Sequence, residues 1–201
     1  RFFVMILIIS FFLNFNLNGN FSTGYLTFVG AMFVMSTISY DEYDNGYLFL
    51  MSLPVSRQTY VKEKYLFGFL LGMAAWLLAA VFFVVYQLAV TADFTMGDTF
   101  LIILIYIPIF IIVIDVLMPF QLKYGGEKGR IVMFAFIGGM LALGYLFVLL
   151  IKMLGVDLSQ NLYAVSYVDV VFGEIAFFLL AAVVTGISMA VSIRIMKKKE
   201  F

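Results

Sequence analysis

Six long apolar runs, nearly free of charge, occupy residues 2–17, 24–40, 65–90, 99–120, 131–151 and 170–195. A bilayer core about 30 Å thick takes about 20 helical residues, and only helices or closed barrels satisfy the backbone inside it. The runs are solidly apolar and lack the in-out alternation of barrel strands, so they predict six transmembrane helices. The fold class expected is all-α, a single polytopic transmembrane domain over residues 1–201, although the first two runs are short. Composition agrees, since 65% of the residues are hydrophobic and no water-soluble core hides that much apolar surface. With neither Cys nor His in the chain, disulfides, thiol nucleophiles, His-based zinc sites and Ser-His-Asp triads are excluded. No catalytic, metal or cofactor-binding residue is expected, and a net charge of zero gives no electrostatic case for nucleic acid.

The placement of charge sets an orientation. Short loops rich in Lys and Arg stay on the cytoplasmic side. Arg57, Lys62 and Lys64 lie between the second and third runs, and Lys123, Lys128 and Arg130 between the fourth and fifth. Arg194, Lys197, Lys198 and Lys199 follow the sixth, and Arg1 precedes the first. The alternate connections hold only Lys152, beside Asp93, Asp98, Asp157 and Asp169. Both termini are therefore expected in the cytoplasm. Arg1 is followed at once by apolar sequence, so the chain is expected to begin inside a longer one. Residues 152–169 form the longest outer connection, either a surface loop or a segment dipping back into the membrane interface.

The connection at 42–64 carries the most information. Asp41 and Glu42 close the second run, Tyr47 to Leu53 is apolar but too short to cross a membrane, and Pro54 ends it. Ser56 is then placed to cap a new helix that runs into the third span. An apolar stretch of this length in the cytoplasm must bury itself at the lipid boundary or in a groove on another protein, and the residues alone leave both open.

The acidic pair, the short apolar stretch, Ser52-Leu53-Pro54-Val55-Ser56-Arg57, then Val61 and Lys64-Tyr65 resemble the membrane subunits of type-2 ABC transporters. Within them the chain is similar to the small six-span bacterial permeases that include staphylococcal phenol-soluble modulin exporters. The resemblance implies that 42–64 holds a coupling helix seated in a separate ATPase subunit. Tyr47, Leu48, Phe49, Leu50, Met51 and Leu53 would fill the ATPase groove, Pro54 would end the helix, and Arg57 would face a carboxylate at the groove's rim. It further implies two ATPase copies carrying the ATP and Mg, a second permease chain, and export of amphipathic or antimicrobial peptides, or drug-like or lipid-like compounds, across a bacterial plasma membrane. Such permeases usually begin with a cytoplasmic amphipathic segment, which this sequence lacks before its first run. Gly125-Gly126-Glu127-Lys128-Gly129-Arg130 does not have the phosphate-binding spacing G-x-x-x-x-G-K-[ST] and reads as a flexible turn.

Two carboxylates interrupt the spans. Asp115 and Glu174 are costly in hydrocarbon and characteristically face a cavity or a partner, so both are candidates for a translocation path. For Asp115, solvation at the interface or pairing with Lys123 or Arg130 is the structural alternative. A different function class follows if the two carboxylates couple ions, that of a self-contained secondary transporter or channel. Pro108 is expected to kink the fourth span, and Gly138, Gly139 and Gly144 to offer a close-packing face on the fifth.

Overall fold

The computed structural model describes residues 5, 6, 8–10, 12, 20–43, 46–52, 55–90, 96–153 and 167–199. The helices are α1 (Asn20–Glu42), α2 (Gly46–Ser52), α3 (Arg57–Val90), α4 (Met96–Leu104), α5 (Tyr106–Met153) and α6 (Tyr167–Lys198). Among the described residues, four stretches are long and apolar enough to cross a membrane: Arg57–Ala89, Thr99–Gly125, Phe134–Ile151 and Tyr167–Lys198. They coincide with the third to sixth expected spans. α1 overlaps the second apolar run, and its 23 residues extend about 34 Å at 1.5 Å per residue, but it is not one of those four stretches. The first run and the outer connection at 152–169 lie largely outside the described residues.

Several α1 hydroxyls turn back onto their own helix. Thr27, Ser36, Thr37 and Ser39 donate to the carbonyls of Thr23, Met32, Val34 and Met35 at 2.6–3.2 Å. Such bonds satisfy the hydroxyls within their own helix.

The main core lies where α1, α2, α3, α5 and α6 converge. Val34 and Ile38 of α1, Val61 of α3, Met118 and Leu122 of α5 and Met196 of α6 are fully buried in it, with Tyr47 of α2 close by. Small residues let the helices approach. A side chain at Gly30 would meet Ala75 at 3.0 Å, and one at Gly72 would overlap the ring of Phe110.

The kink expected from Pro108 is present as a break at Ile105 between α4 and α5. The proline ring clashes with the carbonyl of the residue four before it, Leu104. Beside the break, the indole of Trp76 donates to the Ile103 carbonyl at 2.9 Å.

One expectation is corrected. The glycine-rich 125–130 segment is not a loose turn: Gly125 alone leaves helical geometry, at φ 76°, and the residues after it are helical. A side chain at Gly129 would strike the amide of Gln121. On one continuous helix those residues would be about 12 Å apart, so the chain reverses at Gly125. A single residue with φ > 0 suffices because glycine has no Cβ to clash. Gly138, Gly139 and Gly144 have nothing within 4 Å. The fifth span thus presents its glycines to no other part of the described chain.

Replacing Gly72 with Val is expected to push Phe110 out of the core and destabilise the bundle by about 1–3 kcal/mol. Thermal unfolding of the detergent-solubilised chain checks this, and an unchanged midpoint would contradict the packing.

Candidate functional site

Two sets of polar residues stand out from the apolar bundle. The first surrounds α2. Gly46 opens that helix, and a Cβ there would collide with the carbonyl oxygen of Asp41. α2 is thereby held tightly against the end of α1. Tyr47 points inward and is 4% exposed. Its ring meets Tyr60 edge-on at 5.8 Å, and the Lys199 ammonium lies 4.6 Å from its centroid.

Tyr60 donates to Asp41 Oδ2 at 2.8 Å, and buried Lys64 pairs with the same oxygen at 2.6 Å. Lys199 donates to Glu42 Oε1 at 3.0 Å and to the Leu122 carbonyl at 3.1 Å. Burial, with a contribution from the nearby Glu42 and Asp41 carboxylates, pushes the Tyr47 phenol up to about 12. It stays neutral in neutral solution, which suits its place against Lys199 and Tyr60.

Helix α3 starts as the sequence requires. Ser56 Oγ accepts from the Thr59 amide at 3.1 Å, the N-cap geometry. The next residue, Arg57, reaches across to the end of α6 and donates to the carbonyls of Met196, Lys197 and Lys199 at 2.9–3.2 Å. Those carbonyls lack helical donors and carry the negative end of the helix dipole, so a guanidinium is well matched to them.

The residues that the resemblance assigns to an ATPase groove thus divide. Tyr47 has its side chain buried in this chain's own core. Arg57 is engaged on α6. Leu50 is half-buried and packs against the core, whereas Phe49 is 69% exposed. The side chains of Leu48 and Met51, and Leu53 and Pro54 entirely, lie outside the described residues.

The second set centres on Asp115, 3% exposed in α5. Pro119 stands four residues further along the same helix. Having no N–H, it leaves the Asp115 carbonyl without its helical donor. Ser188 of α6 supplies the missing donor. Since Ser188 has one proton and gives it to that carbonyl, Tyr65 of α3 donates to Ser188 at 2.6 Å and Ser192 donates to Tyr65 at 2.9 Å. The result is a directed chain of hydroxyls that joins α3, α5 and α6 inside the apolar bundle. Thr185 donates to the Asp115 carboxylate at Oδ2, 2.6 Å away.

Among the described residues no Lys or Arg forms an ion pair with Asp115. Lys123 instead lies 5.0 Å from the Tyr124 ring centroid, and the side chain of Arg130 is outside the described set. Glu174 is also buried, beside a cavity lined by Ile105, Phe177 and Leu180. It lies eleven residues before Thr185 on α6, about 16 Å along the helix axis, so the two carboxylates do not share a site. No group of His, Cys, Asp and Glu suited to a metal occurs among the described residues.

Over residues 1–197 the sequence matches the family described as ABC-2 family transporter protein. The chain belongs to that family. It is therefore a multi-pass membrane component of an ABC transporter, with no catalytic role of its own, and its family implies an ATPase partner. Comparison with curated proteins and with solved structures finds no match.

In the sequence Asp115 is conspicuous, and its partners are less so. Their signal was present, since Thr185, Ser188 and Ser192 recur at helical spacing in an otherwise apolar run. Lys199 and Tyr60 had no such signal, because their partners are distant in sequence.

Ser188→Ala is expected to cost about 1–3 kcal/mol by stranding the Asp115 carbonyl. In a Pro119→Ala background, which restores a helical N–H, the loss should fall to half or less. A double-mutant cycle of thermal unfolding measures this, and equal losses in both backgrounds would refute the donor-replacement role.

Proposed function

We propose that this ABC-2 permease is the membrane subunit of an exporter. It moves amphipathic or antimicrobial peptides, or drug-like or lipid-like compounds, out of a bacterial cell, powered by two copies of a separate ATPase and completed by a second permease chain. In this reading α2 is the coupling helix and faces the cytoplasm together with both termini.

The observation that carries the reading is the two-sided character of α2. Its outer side presents Phe49, a large exposed aromatic where an ATPase groove would sit. Its inner side is fastened by Tyr47 to Tyr60 of α3 and to Lys199 beyond the end of α6. Burying one large apolar side chain contributes about 1.5–3 kcal/mol, so Phe49 and a few neighbours suffice for docking. A push on α2 passes through Tyr47 to the helices that carry the hydroxyl chain at Asp115. ATP closure would thereby reach the middle of the bundle as a rigid-body shift of packed helices.

Affinity purification of the chain from its native cells in mild detergent, followed by mass spectrometry and an ATPase assay, is expected to recover an ABC ATPase. Phe49→Asp should abolish that recovery while leaving membrane insertion intact, since Phe49 is not part of the core. Undiminished ATPase recovery with Phe49→Asp would exclude α2 as the docking element.

A further inference from the structure

A groove of about 420 Å³ opens between α3, α5 and α6, with Asp115 and Thr185 on its wall. Phe69, Phe110, Ile114 and Met189 supply most of the rest. Its size is that of a site for a drug-sized molecule. Its chemistry is uneven, for the wall is overwhelmingly apolar yet includes one carboxylate, and among the described residues no Lys or Arg forms an ion pair with that carboxylate. A carboxylate in such a place is strongly favoured by a cation brought to it. An inorganic ion would leave the surrounding apolar volume unfilled and would find few oxygens, whereas an organic cation satisfies both features. Its charge meets Asp115 and its apolar body fills the groove.

We propose that this groove binds a hydrophobic organic cation, with Asp115 as its counter-charge. The proposal rests on the reading of the chain as a transport subunit and names the charge and shape of what it carries. Lys62 lies at the same groove and is exposed. It acts as a competing positive charge, so it selects for ligands whose charge reaches past it to Asp115.

The test uses the purified full chain in phosphatidylcholine nanodiscs, with empty nanodiscs as the baseline for lipid partitioning. Equilibrium dialysis compares tetraphenylphosphonium with tetraphenylborate, which have the same shape and opposite charge. Saturable binding of the phosphonium alone is expected. Asp115→Asn, which retains an oxygen for Thr185, should weaken it by on the order of tenfold or more, and Lys62→Gln should tighten it. Ala182→Trp, at an exposed position on the groove's wall, leaves Asp115 in place and should also remove binding by filling the groove, which keeps the test valid if Asp115→Asn fails to fold. Equal binding of the borate, unchanged affinity in Asp115→Asn or Ala182→Trp, or displacement by millimolar sodium would overturn the proposal. None of these outcomes depends on the ATPase, so a failure here is distinguishable from a failure of the exporter reading.

Discussion

Hydrocarbon offers no hydrogen bonds, and this constraint governs nearly every polar contact inside the bundle. The hydroxyls of α1 answer it locally by bonding to carbonyls of their own helix. The prolines force a tertiary answer. At Pro108 the helix breaks, and the indole of Trp76 serves an adjacent carbonyl. At Pro119 the helix continues, and Ser188 donates to the carbonyl that the proline deprives. Through Tyr65 the same need recruits α3, so that satisfying one carbonyl binds three helices together.

The basic end of the bundle follows different physics. Water and charge are available there, and the contacts are ion pairs and helix-end bonds. Arg57, at the start of α3, holds the last carbonyls of α6. Lys199, just beyond α6, holds Glu42 at the end of α1 and Leu122 near the end of the first half of α5. Tyr47 brings α2 into the same cluster. A short helix of seven residues has little stability alone, and its position here is set by the aromatic and cationic partners on its inner side. α2 is therefore tied to α1, to α3 and to the residue beyond the end of α6 together.

Much of the fold was legible because hydropathy is a local property. The apolar runs named the later spans, Pro108 named the break, Ser56 named the start of α3, and Asp115 was conspicuous as a charge within a span. Less legible were the places where one residue type suits two surroundings. Glycines at 138, 139 and 144 fit a close-packing face, yet meet nothing in the described chain, while Gly72, inside an ordinary apolar run, receives the ring of Phe110. The segment at 125–130 has the composition of a loose turn, but one glycine makes the reversal and its neighbours keep helical bonds.

The sequence by itself determined that this is a helical membrane protein with a short apolar helix ahead of its long apolar ones, because bilayer thickness and the cost of bare backbone leave an apolar run few alternatives. Tertiary structure decided which faces of those helices meet. It turned Tyr47 inward and Phe49 outward on one short helix, spent Arg57 on the end of α6, and set Asp115 beside an apolar groove with a hydroxyl as its partner. Those outcomes depend on residues far apart in the chain, and no local pattern records which of several equally polar side chains will be brought within hydrogen-bonding distance.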